Sequence, residues 1–111
     1  MVLTTHYEEA VRQFKNAGNV VYKFSNTYDV NVYRFQDKQR VLKIVAQEFN
    51  VERRDLQIVG VQSFPGESTT FITLEYTPPE FKRPFVIEAS LWKFIDGSLL
   101  VIKKPDWATI G

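Results

Sequence analysis

The residues able to carry out chemistry are few and scattered. His6 is the single histidine, and the chain has no cysteine. An imidazole base therefore has one candidate, in the first turn of a predicted helix, where a lone histidine is most often solvated. Thiolate catalysis, disulfides and cysteine-based metal sites are excluded. A zinc site would need carboxylates alone, and no cluster of them occurs at ligand spacing. Glu75 and Glu88 fall on neighbouring predicted strands, where a close carboxylate pair would suit general acid–base work. The pairing expected for those strands turns the two to opposite faces, so no dyad is expected. No serine sits in a nucleophile elbow. The five glycines are isolated, so no phosphate-cradling loop is expected. These residues point away from an enzyme and toward a protein with neither cofactor nor metal.

The elements that position the remaining candidates follow from periodicity. In "THYEEAVRQFKNAG", Tyr7, Ala10, Val11 and Phe14 recur at helical spacing. Thr5 is placed to cap this helix with Glu8 completing a capping box. Glu8 stands at pairing distance from Arg12, and Gly18 suits the left-handed terminus. Residues 20–24 and 30–35 are rich in β-branched and aromatic side chains and read as a hairpin. "DKQRVLKIVAQEFN" returns to helical period through Val41, Leu42, Val45 and Phe49, with Asp37 as cap and Asn50 as terminator. Strands are predicted at 56–63, 69–77, 85–95 and 98–104, with "IDGS" as the tightest turn.

The order α-β-β-α-β-β-β-β predicts an α+β fold: two helices packed on one face of a curved, mainly antiparallel sheet of about six strands. With residue 76 opposite 86, and Trp92 opposite Val101 across the last turn, both faces of the sheet are apolar. Ile72 and Leu74 would then share a face with Trp92, Phe94, Leu99 and Val101, against Phe71, Ile87, Leu91 and Leu100 on the other. Two helices cover about one such face, so the second requires another cover, which motivates self-association.

The chain of 111 residues fits a single globular domain, 1–111. A net charge of +1, from 14 basic and 13 acidic residues, gives no global attraction to phosphate. The N-terminus lacks the basic-then-apolar pattern of a secretory signal. No apolar run approaches the ~18 residues of a membrane span. A cytoplasmic protein with no membrane partner is expected.

Three features are candidates for binding. Lys38, Arg40 and Lys43 crowd the first half of the second helix, where the helix dipole disfavours cations. Arg53 and Arg54 follow, and all five are candidate anion or nucleic-acid contacts. Trp92 and Phe94 on the sheet and Trp107 in the tail "KKPDWATIG" are candidate partner anchors. The proline-rich "EYTPPEFKRPF" is too long for a hairpin turn and stiff enough to present Phe81, Lys82 and Arg83 to a partner. It also suits a plain rigid crossover, with Phe81 turned inward.

The function expected is a non-catalytic protein-binding domain, an adaptor, inhibitor or assembly factor, self-associating through an apolar sheet face. Its partner is a protein, and a homo-oligomer is expected. The alternative is a single-stranded nucleic-acid binder using an aromatic sheet and the basic helix. A small ligand-binding or enzymatic pocket is a third reading.

Overall fold

The structure, a computed structural model, describes residues 2–25, 29–66, 68–94 and 97–104, and the side chains of residues 2–6 lie outside the description. The fold is α+β, with elements α1 (Val2–Asn16), β1 (Val20–Phe24), α2 (Phe35–Phe49), β2 (Leu56–Ser63), β3 (Thr69–Tyr76), β4 (Phe85–Phe94) and β5 (Gly97–Ile102). A 3-10 turn at Arg53–Asp55 leads from α2 into β2. The five strands form one antiparallel sheet in the order β1-β5-β4-β3-β2.

Both helices stop where the sequence says they should. Gly18 takes φ +90°, and Asn19 N–H donates to Phe14 O at 3.1 Å. Asn50 is left-handed at φ 54°, and Val51 N–H returns to Ala46 O at 3.0 Å. The starts differ. Helix α1 begins at Val2, so Thr5 lies inside it and is not its cap. Arg12 pairs with Glu9 at i,i+3, while Glu8 comes within 3.9 Å of Lys23 on β1.

Residues 30–35 are not a strand, and this removes the sixth strand from the expected sheet. Val30 and Val32 alternate as strand residues do, and both are buried in the core. The backbone between them is satisfied locally instead of by a ladder. Asn31 Oδ1 accepts from Tyr33 N–H at 2.9 Å, and Asn31 O accepts from Arg34 N–H at 2.9 Å. Asp37, expected as the cap, sits inside the first turn of α2, whose cap is Arg34. Its carboxylate is 1% exposed. It accepts Asn31 N–H at 2.7 Å and lies 3.7 Å from Arg34 and 3.8 Å from Arg40. A buried carboxylate so placed holds the loop against the helix start.

The helices lie on opposite faces, not on one. Val41, Ile44 and Val45 of α2 share a cluster with Ile72, Leu74, Ile87, Leu91, Leu100 and Ile102. Tyr7 and Val11 of α1 pack instead on Leu99 and Val101, with Phe14, Trp92 and Phe94 at the margin. Every residue of β5 is buried, because the strand is paired on both edges and has a helix on each face.

Register explains why the second face carries less apolar surface than expected. Tyr76 pairs with Phe85, one position from the pairing expected, so every β3 side chain changes face relative to β4. Ile72 and Leu74 therefore join Ile87 and Leu91 under α2, and Phe71, Thr73 and Glu75 turn outward. Trp92 pairs with Leu99, two positions from the expected Val101, and a slip of two leaves the faces intact. The surplus of apolar sheet surface largely disappears. What remains open on the second face is a strip where Phe71 and Val86 stand exposed among Thr73 and Glu88.

The two sheet edges differ. Strand β2 is bulged between Ile58 and Gly60, a device that deters edge-to-edge pairing. Strand β1 pairs with β5 in unbroken register from Val20↔Ile102 to Phe24↔Ser98 and contains neither bulge nor proline.

Candidate functional site

Among the described residues no three His, Cys, Asp or Glu side chains come close enough to hold a metal ion. The side chain of His6 and the whole of Trp107 lie outside the description. Glu75 and Glu88, expected on opposite faces, share one: Glu75 pairs with Val86 and Thr73 with Glu88. They are diagonal neighbours on the open strip. Serine hydroxyls serve packing: Ser90 Oγ accepts from Trp92 Nε1 at 2.8 Å, and Ser63 Oγ meets Thr70 Oγ1 at 2.9 Å.

The aromatic anchors expected on the sheet are engaged by the chain itself. Trp92 lies 5.2 Å from Phe14, centroid to centroid, and Phe94 lies 5.5 Å edge-on from Tyr7. Both are half-buried beside α1. In the proline arm, Phe81 turns outward rather than inward and is 58% exposed. It rests edge-on against Phe85 at 6.1 Å, and its N–H donates to Pro78 O at 3.1 Å. Pro78 is buried and pins the start of the arm. Phe81, Lys82 and Arg83 line a shallow hollow with Pro84 and Phe85.

Two displaced pKa values belong to structural ties. Asp29 is held below the usual carboxylate range by the hydrogen bond from Lys93 at 3.0 Å, then by that charge. Burial pushes Tyr76 up, and the charges of Asp55 and Glu80 add to it.

The five basic candidates separate. Arg40 and Lys43 line a groove of about 780 Å³ between α2 and β1, whereas Lys38 is half-buried and not part of its wall. Arg53 and Arg54 sit beyond the far end of α2, and Arg54 borders a different hollow with Asp55, Gln57 and Glu75. The groove also contains Tyr22 and Phe24 from β1 and Phe35, Gln36, Gln39, Ile44 and Gln47 from α2. Tyr22 is 42% exposed and Phe35 74%. Tyr22 stacks edge-on against Phe24 at 5.0 Å, which fixes the groove floor. Among the described residues no acidic side chain lines the groove.

Sequence reasoning found Arg40 and Lys43 but missed Phe35 and the three glutamines. The signal was present. Gln36, Gln39, Arg40, Lys43 and Gln47 follow the i, i+3, i+4, i+7, i+11 pattern of one helical stripe. Its meaning depended on β1 lying beside it. The chain matches no protein-family model, no curated protein and no solved structure.

Among the described residues no helix is long and apolar enough to cross a membrane.

Proposed function

We propose that this chain is a non-catalytic protein-binding domain that accepts an extended segment of a partner along the β1 edge. The carrying observation is the unbulged edge of β1 beside the groove that Tyr22, Phe35 and the glutamine stripe of α2 form. An edge strand offers unpaired N–H and C=O groups, and strand addition satisfies them while the adjoining groove reads alternate side chains. The opposite edge is bulged, so the two edges are not equivalent. The open strip on the second face carries Glu75 and Glu88 beside Phe71 and Val86. Interface centres are depleted in charge, which favours a separate partner at β1 over a second copy on that strip.

A second reading, single-stranded nucleic acid, rests on Tyr22 and Phe35 standing beside Arg40 and Lys43. The wide aromatic platform it would use is not on one surface, since Trp92 and Phe94 are packed with α1.

Selection of short displayed random peptides against the immobilised chain tests the proposal. Enriched sequences should show strand-forming alternation. Binding should be lost when the outer side of β1 is blocked by proline. Val21→Pro and Tyr22→Pro form the control pair: of two adjacent residues one N–H faces β5 and the other faces out, so one variant stays folded. Peptides that keep binding to the folded proline variant, or enrichment of helix-forming sequences, would refute strand addition.

A further inference from the structure

We infer that the segment taken up at β1 is acidic: an extended peptide whose alternate side chains place carboxylates at Arg40 and Lys43 and an apolar residue between Tyr22 and Phe35. The inference rests on the strand-adding reading and specifies its partner.

Geometry sets the frame. A strand added to β1 lies about 4.8 Å from it, and every second side chain of that strand faces the α2 side, about 6.5 Å apart. Tyr22 marks that side, since it pairs with Leu100 and packs by Phe24. The added strand therefore directs one row of side chains into the groove. Arg40 and Lys43 stand about 4.5 Å apart along the helix axis, from the helical rise. Two successive groove-facing residues reach both.

Charge selects the occupant. Among the described residues the groove wall holds two cations, three amides and three aromatic rings, and no carboxylate. Lys43 is exposed and makes no ion pair among the described residues. Arg40 is 57% exposed at its side chain and keeps Asp37 at 3.8 Å. It can swing a donor to a ligand, because its fork has five N–H groups. The amides of Gln36, Gln39 and Gln47 can both donate and accept, which suits main-chain and side-chain polar groups alike.

The same charges argue against two other occupants. A second copy joined β1 to β1 about a twofold would present identical patches to each other. Arg40 and Lys43 of one copy would then face Arg40 and Lys43 of the other. A nucleic-acid strand depends on many phosphate contacts, and this groove offers two cations, one already beside a carboxylate.

The test uses the full chain and fluorescently labelled probes in an anisotropy titration. The probes are a synthetic alternating Glu/Val peptide, its Gln/Val and Lys/Val counterparts, and an oligo-dT strand. The Glu/Val peptide should bind about tenfold more tightly than Lys/Val, as two part-exposed ion pairs allow. That preference should shrink with added salt. Lys43→Glu lies on an exposed helix position, so the fold should survive, as circular dichroism will show, and the preference should be lost, because Arg40 then faces a carboxylate across the groove wall. If Gln/Val or Lys/Val binds as tightly and still protects β1, the acidic specificity is wrong and strand addition stands. If oligo-dT binds more tightly than every peptide, the partner is nucleic acid. If the chain dimerises through β1 and excludes all probes, the partner is a second copy. If no probe binds and the chain stays monomeric, strand addition itself fails.

Discussion

Ile72→Asp should unfold the chain, whereas its neighbour Phe71→Asp should leave it folded. The two apolar residues are adjacent on β3 and present opposite faces. Ile72 is 1% exposed and belongs to the cluster under α2; Phe71 is 44% exposed on the opposite face. Burying an unpaired carboxylate costs several kcal/mol even after local relaxation. That is a large part of the roughly 5–15 kcal/mol that stabilises a typical domain. Phe71→Asp removes some contact with Phe64, whose ring lies 6.2 Å away, and should cost about 1 kcal/mol or less. Circular dichroism with thermal melting reads both. The expected register of Tyr76 opposite Val86 would put the two residues on the other faces, so a folded Ile72→Asp would reject the observed pairing.

Leu99→Ala and Leu100→Ala should each cost about 2–5 kcal/mol, the range for emptying a packed leucine site. Both are fully buried, but in different clusters: Leu99 under α1 and Leu100 under α2. If both helices lay on one face, one of the two would be solvated and cheap to truncate. Urea unfolding monitored by Trp92 and Trp107 fluorescence measures both variants. A cost below about 1 kcal/mol for Leu99→Ala would mean that α1 does not cover the second face.

The fold was legible where local chemistry decides it. Gly18 and Asn50 closed their helices because a left-handed residue is the cheapest terminator. The four C-terminal strands were found because β-branched runs between turn residues have few alternatives. Parity across a sheet was less legible. A slip of two between β4 and β5 changed nothing, and a slip of one between β3 and β4 reversed the face of Ile72 and the relation of Glu75 to Glu88. Residues 30–35 were misread because Val30 and Val32 alternate toward a core without a ladder. The bond from Asn31 to Asp37 that makes this possible joins a loop to a helix. The site was half legible. Arg40 and Lys43 stood out as cations near a helix start, but Tyr22 and Phe35 became neighbours only through the pairing of β1 with β5.

Backbone amide hydrogen exchange of the chain with and without the Glu/Val probe peptide tests the central claim most directly. The amides of β1 that point away from β5 should exchange freely in the unbound chain and slow on binding, with smaller changes along the groove-facing stripe of α2. Unchanged β1 amides, with the protection appearing on β2, on the Phe71–Val86 strip or on the proline arm, would contradict strand addition at β1.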